Sequence, residues 1–363
     1  SPLPARERGP GTPLPLREGE GGGSGVRPNP EAPPSPSPLP ARERGPGTPL
    51  PLREGEGGGS GPPAKANPHP ALSLEGRGVG ANKLGALSCQ DLAFALAYFP
   101  LDVPPRPPEE VMPKVIADRR KGAFVFRNAF KDADDVVATM FFRSEQPYGG
   151  TYFHPQAGSF RISGLGTAWA NGVIGNKRQW DYADEVALHI EGSNGEGLGR
   201  VTYFAHKPDG SGVVGADMSD VYNRRTNLGV KAERHFAVDY SGASGAPALF
   251  AVVDRVKGGG KKSWRLHTEG RSIAVNGASF TIQGRLGGTL QGRFIAPAGI
   301  RLAATGTSLA AITEAPEADF LAVMTIQKGP APEIKADGAS IEAIVTVGGQ
   351  TVRFEHGKLV LAR

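Results

Sequence analysis

The stretch "YGGTYFHPQAGSFRISGLGTAWANG", Tyr148 to Gly172, sets one histidine, His154, in a Gly- and Ser-rich turn just ahead of an alternating segment. Two readings of His154 stand side by side: part of a chemical site, or a hydrogen bond that fixes the turn. Basic residues flank it, Arg161 inside the alternating segment and Lys177 and Arg178 soon after. A guanidinium matches a carboxylate bidentately, so these residues could meet an acidic ligand; the alternative is a solvated basic surface. His189, His206, His235 and His267 fall on expected strands and read as packed or surface residues rather than ligands. Asp254 and Arg255, after a buried strand, read as a structural ion pair. Neither "KGGGKKS" nor "GEGLGR" makes a convincing phosphate loop; the first has Arg255 where the opening glycine belongs, and no helix follows it.

The elements around these residues divide sharply by composition. From Ser1 to Gly80 nearly half the residues are Gly or Pro and none is aromatic. Such a segment cannot bury enough surface to offset its ordering entropy, so residues 1–80 are expected to be disordered. It also holds a perfect repeat, "SPLPARERGPGTPLPLREGEGGGSG", at Ser1 to Gly25 and again at Ser37 to Gly61. Solenoid copies keep a core pattern while surfaces drift; these copies share every letter and have no core pattern. The segment resembles translated repetitive DNA, the alternative being a Pro-rich linker or partner-binding tail. The start at Ser1 rather than Met reads as a fragment of a longer frame.

No signal peptide is visible at this start, and no apolar run is long enough to span a bilayer. A single cysteine, Cys89, rules out an internal disulfide and a Cys-based zinc cluster. The formal charge of +5 suits an acidic polymer as partner. Its basic residues are interleaved with acids, without the dense stripe and aromatic platforms of a nucleic-acid binder, so nucleic acid is not expected. Oligomeric state is not legible.

Residues 81–118 read as a helix stub and a linker. "LSCQDLAFALAYF" has a candidate cap at Ser88 and helical spacing of Leu92, Ala95, Leu96 and Phe99, and Pro100 with "VPPRPPEEVMP" ends it. The period then changes to two. "DDVVATMFF", "SFRISG", "DEVALHIEG", "RVTYFAHK", "RHFAVDY", "KSWRLHTEG" and "ASFTIQG" alternate as half-buried strands, whereas "PALFAVVDRV" and "DFLAVMTI" are apolar throughout, as strands covered on both faces are. "IVTVGGQTVRFEHGKLVLA" reads as a meander turning at Gly348-Gly349 and His356-Gly357. Residues 119–363 are therefore expected to form an all-β fold, a large antiparallel β-sandwich.

The order of these pieces resembles the C-terminal β-sandwich (supersandwich) of heparinase II/III-like polysaccharide lyases. The resemblance rests on "FVFRNAFKDADDVVATMFF", "FHPQAGSFRISGLGTAWA", "GADMSDVY", "AERHFAVDY", "PALFAVVDRV", "SWRLHT" and "VGGQTVRFEHGKLVL", which span nearly all of Lys121 to Arg363. It implies an α/α toroid ahead of the sandwich, of which Ser88 to Phe99 resembles the last helix, most of the toroid being absent. It implies β-elimination on an acidic, uronate-containing polysaccharide by a secreted or periplasmic enzyme, in a cleft to which the toroid contributes. Half a cleft is not expected to catalyse.

The family commonly carries His-x-His-x-Asp before "AGSF" and a later Asp, as a catalytic histidine and ligands of a structural metal. By that likeness Tyr152 stands on the first His, His154 on the second, Gln156 on the Asp and Asn171 on the later Asp. Only His154 is unchanged, so it would be the surviving ligand of a divalent metal such as zinc. Amides in place of two carboxylates remove the compensating charge, which speaks against the metal. A tyrosinate at Tyr152 could act as the lyase base if cations depress its pKa, and the alternative is packing at a strand edge. The resemblance thus implies Tyr152 and His154 as catalytic groups and Gln156, Arg161, Asn171 and Arg178 as contacts to the sugar. The competing reading is a noncatalytic carbohydrate-binding or structural module; a third is a decaying frame without activity.

Overall fold

The computed structural model describes residues 106–145, 156–172 and 185–363. The chain divides after Pro70 into two units, and the described residues fall in the second, Ala71–Arg363. The expected disordered tail and the helix from Ser88 to Phe99 lie outside the described residues.

A single helical turn, α1 (Pro108–Val111), interrupts the stretch read as linker, with proline at its first position, where a missing N–H costs nothing. Strands β1 (Val115–Asp118), β2 (Ala123–Arg127), β3 (Val137–Phe141), β4 (Ser159–Gly164) and β5 (Thr167–Ala170) form a five-stranded sheet in chain order. The sheet begins slightly ahead of the Arg119 start expected from sequence, because Val115 and Ile116 pair with Phe126 and Val125.

The chain continues through β6 (Leu188–Ile190), β7 (Arg200–His206), β8 (Gly212–Asp217), the short helix α2 (Ser219–Asn223), β9 (Lys231–Asp239), β10 (Ala248–Lys257) and β11 (Lys262–His267). Then come β12 (Ser272–Asn276), β13 (Ser279–Gln283), β14 (Gly288–Ala296), β15 (Arg301–Thr305), β16 (Ser308–Thr313) and β17 (Glu317–Lys328). The last four are β18 (Ile334–Asp337), β19 (Ile344–Val347), β20 (Gln350–Glu355) and β21 (Lys358–Ala362). An eight-stranded sheet has the order β12-β13-β14-β17-β10-β9-β8-β7, and two four-stranded sheets have the orders β15-β16-β11-β6 and β18-β19-β20-β21. Every pairing is antiparallel.

The large sheet is covered on both faces, and this explains the two kinds of strand. One face carries Phe236, Phe250, Val252, Phe320 and Ala322, which pack with Phe124, Phe126, Phe160, Leu188 and Trp264 of the five-stranded sheet and the β15-β16-β11-β6 sheet. The other carries Ala237, Leu249, Ala251, Val253, Leu321 and Val323, covered by Val345, Val347, Val352, Phe354 and Leu359 of the C-terminal meander. Strands β10 and β17, paired along ten residues at the middle of the sheet, are therefore apolar on both sides. Peripheral strands alternate, as in β2, where Phe124 and Phe126 are buried and their neighbours only partly so. "DEVALHIEG" yields the short β6, because as an edge strand it pairs only with Lys262 to Trp264 of β11. The meander turns where expected: Val347 pairs with Gln350 and Glu355 with Lys358. Both turn residues of the second hairpin have positive φ, 52° at His356 and 72° at Gly357, as a two-residue turn matching strand twist requires.

Candidate functional site

The segment that connects β3 to β4 leaves the five-stranded sheet after Phe141 and returns at Ser159. Tyr152 and His154 lie on it outside the described residues, as do Lys177 and Arg178 in the next connection. Its described ends are firmly held. Gly158 N–H donates to the Phe141 carbonyl at 2.8 Å, and Ser159 N–H donates to the Gln156 carbonyl at 3.0 Å. The Gly158 carbonyl accepts from Arg234 Nη1. Gly158 has φ 79°, and a Cβ there would stand 2.9 Å from Met218 Cε, so glycine is required for this turn to dock.

Arg234 is itself buried and paired with buried Asp254, Nε to Oδ1 at 2.6 Å and Nη2 to Oδ2 at 2.8 Å. This corrects the expected pairing of Asp254 with Arg255. Adjacent residues of a strand point to opposite faces, so Asp254 meets Arg234 directly across β9 while Arg255 lies nearest Glu233.

Arg161 and Asn171 have internal partners. Arg161 Nη2 donates to Glu185 Oε2 at 2.6 Å, and Nη1 donates to the Phe160 carbonyl at 3.1 Å. The Glu185 side chain is 2% exposed, so the guanidinium neutralises a carboxylate that solvent does not reach. Gly172 lies so close that a Cβ would meet Arg161 Nη2 at 2.1 Å. Asn171 Nδ2 donates to Glu269 Oε1 at 2.9 Å, and its N–H donates to the His267 carbonyl at 2.8 Å. Arg161 and Asn171 are thus each engaged by an acid, and no group of three His, Cys, Asp or Glu that could hold a divalent cation occurs among the described residues, which do not include His154.

An open cavity of about 700 Å³ lies at the root of this connection. Ser144, at the end of the described part before the connection, lines it with Leu198 and Gly199, and three arginines enter it: Arg119 and Arg120 from the β1–β2 turn and Arg200 from the start of β7. Arg120 reaches Glu145 at 2.8 Å and Arg200 reaches Asp217 at 3.0 Å, both exposed pairs, while Arg119 has no ion pair among the described residues. Burial would raise the Asp217 carboxyl, but hydrogen bonds from Ser219 and Arg200 hold it below its ordinary value. Asp217 therefore stays ionised as the counter-charge of Arg200. Gln156, Arg161 and Asn171 do not line this cavity.

These arginines were missed in the sequence, although signals existed. "DRRKG" is a turn of three consecutive basic residues between two strands, and Arg200 closes "GEGLGR". Gly199 gives room instead: a Cβ there would meet the Phe142 carbonyl at 2.6 Å, so the chain passes close beneath the connection.

Two of the strand histidines, His189 and His235, are buried in the fold. Burial pushes His189 down to about 3, with its Nε2 3.0 Å from the Glu185 carbonyl, so it stays neutral at ordinary pH. His235 Nδ1 lies 3.1 Å from the Tyr203 hydroxyl, which accepts from Leu359 N–H at 2.9 Å and joins the large sheet to the meander. Burial pushes the Tyr203 hydroxyl well above its usual range and His235 below its own, which removes both as charged groups near neutrality.

Among solved structures the chain is similar to a heparinase III, with a TM-score of 0.51 and 14% identity over 69% of this chain and 42% of that one. It is also similar to the heparan sulfate lyase HepC from Pedobacter heparinus, with a TM-score of 0.52 and 14% identity over 76% of this chain and 47% of that one. No protein-family model matches the chain, and no curated protein matches it in sequence. The fold is thus that of the β-sandwich of polysaccharide lyases, shared at the level of architecture. The chain spans less than half the length of either structure. No helix among the described residues is long and apolar enough to cross a membrane.

Proposed function

We propose that this chain is the β-sandwich part of a polysaccharide lyase that holds an acidic, uronate-containing polysaccharide for β-elimination. The observation that carries the reading is the cavity lined by Arg119, Arg120 and Arg200 at the root of the connection bearing Tyr152 and His154. Elimination breaks the C5–H bond, forms the C4–C5 double bond and expels the C4 oxygen. The proton goes to a base, and the departing oxygen takes a proton from an acid. Charge builds on the uronate carboxylate as C5 loses its proton, so fixed cations beside it lower the barrier. The same cations would depress the pKa of a nearby phenol, the condition for Tyr152 to serve as base, with His154 as its proton partner. Gln156, at the end of the same connection, and Arg178 remain candidates for sugar contacts. Arg161 and Asn171 act in this reading through Glu185 and Glu269, by shaping the sheet edge. A secreted or periplasmic setting suits a polymeric substrate.

The test is absorbance of unsaturated uronate products from heparan sulfate, other glycosaminoglycans and alginate. With a helical toroid supplied to complete the cleft, cleavage is expected to fall at least about a hundredfold in Tyr152→Phe, the scale of a lost general base. Full activity in that variant would remove Tyr152 from the role. The second reading, a noncatalytic glycan-binding module, is favoured by the engagement of Arg161 and Asn171 with Glu185 and Glu269. It requires retention of the same polymers with no cleavage by the unmodified chain.

A further inference from the structure

The cavity beside Ser144 does not end at Asp217. That residue also lines a second cavity of about 470 Å³, shared with Ser219, Lys231, Glu233, Arg255 and Lys257. We propose that this second cavity is a separate anion-binding site, one that takes a sulfate or carboxylate group of the acidic polysaccharide held by the first. The inference rests on the glycan reading above and adds to it a direction and a minimum length for the bound chain.

Strand register supplies the direction. Arg200 pairs with Asp217, Asp217 with Glu233 and Glu233 with Arg255, so one row of charged residues crosses β7, β8, β9 and β10. Residues directly opposite one another in antiparallel strands share a face, and this row runs along both cavities. Three strand intervals at about 4.8 Å each separate Arg200 from Arg255, roughly 14 Å, a span that suits several linked sugars rather than one anion. Counting Asp217 once, the two cavities are lined by six cations and three carboxylates.

The second cavity holds its cations in an arrangement the fold alone does not favour. Lys231 stands directly opposite Lys257 on the neighbouring strand, and like charges so placed repel. Glu317 reaches Lys257 at 3.2 Å, but Lys231 has no ion pair among the described residues. Arg255 is held loosely as well: its Nη1 donates to Glu233 at 3.5 Å, Asp319 stands opposite it on β17, and its Nε is buried with no hydrogen-bond partner among the described residues. A bound anion would relieve the Lys231–Lys257 repulsion and offer Arg255 Nε an acceptor. Ser219 does not compete for the ligand, since its hydroxyl accepts from Ala232 N–H at 3.1 Å.

The test is titration calorimetry with heparin oligosaccharides of two lengths, a disaccharide and a dodecasaccharide. The variants are Lys231→Gln/Lys257→Gln and, as control, Lys335→Gln, whose exposed side chain pairs with Glu333 on the meander. The double variant is expected to bind the dodecasaccharide about tenfold more weakly, the effect of one lost charge-assisted contact, with disaccharide binding unchanged. Lys335→Gln is expected to match the parent chain for both ligands. Unchanged dodecasaccharide binding in the double variant, or equal losses for the two lengths, would overturn the second site and leave the glycan reading standing. A parent chain that binds neither oligosaccharide would overturn the glycan reading itself, and the second site with it.

Discussion

Replacing Arg234 by methionine is expected to lower the free energy of unfolding by about 3–5 kcal/mol, the usual loss when one partner of a buried ion pair is removed. Both side chains are nearly inaccessible, at 2% and 1%, so nothing replaces the lost guanidinium around Asp254. The Gly158 carbonyl loses its donor too, and with it the anchor at the return of the β3–β4 connection. Urea unfolding followed by tryptophan fluorescence measures the effect. The variant Arg234→Met/Asp254→Leu supplies the control. Removing both charges is expected to restore much of the loss, because the cost lies in an orphaned carboxylate and not in a missing attraction. A loss below about 1 kcal/mol in Arg234→Met would mean that the carboxylate finds water or another partner, and that the pair does not hold the turn.

Trp264→Ala is expected to cost about 3–5 kcal/mol through the cavity it leaves. The indole is fully buried on β11, 5.8 Å from the Phe160 ring and 5.1 Å, edge-on, from Phe294, and so links three sheets. Trp264→Phe is expected to cost markedly less than a volume argument alone would give. The indole Nε1 is buried without a hydrogen-bond partner among the described residues, and phenylalanine removes that unsatisfied donor along with the extra ring. Paired urea titrations of the two variants measure the difference. Equal losses would show that the donor is satisfied in solution.

The architecture was legible where chemistry and period coincide. Alternation in "SFRISG" and continuous apolarity in "PALFAVVDRV" both follow from which faces of a strand are covered, and covering is the main force that selects these residues. The glycine turns of the meander were legible for the same local reason, since a two-residue hairpin needs positive φ. Pairing across strands was not. Asp254 and Arg255 are neighbours in the chain, yet register gives Asp254 to Arg234 and sets Arg255 opposite Glu233. The Arg119, Arg120 and Arg200 cluster was hidden for a related reason: the β1–β2 turn and the start of β7 are far apart in sequence and meet only once the two sheets are packed. Of the residues singled out by the histidine segment, Arg161 and Asn171 proved to be engaged by Glu185 and Glu269, acids that lie beyond the window in which a motif is read. Tyr152, His154 and Arg178 rest on the sequence alone.

The most direct test is affinity electrophoresis of the full chain through gels containing heparan sulfate, beside the variant Arg119→Gln/Arg120→Gln/Arg200→Gln. These side chains are exposed, so the variant is expected to fold as the parent does, with an unchanged urea midpoint. If the cavity holds an acidic polysaccharide, the parent is retarded in proportion to the heparan sulfate present and the triple variant is retarded far less. Equal retardation of the two proteins would place any binding elsewhere on the molecule, and no retardation of the parent would contradict the acidic-polysaccharide reading.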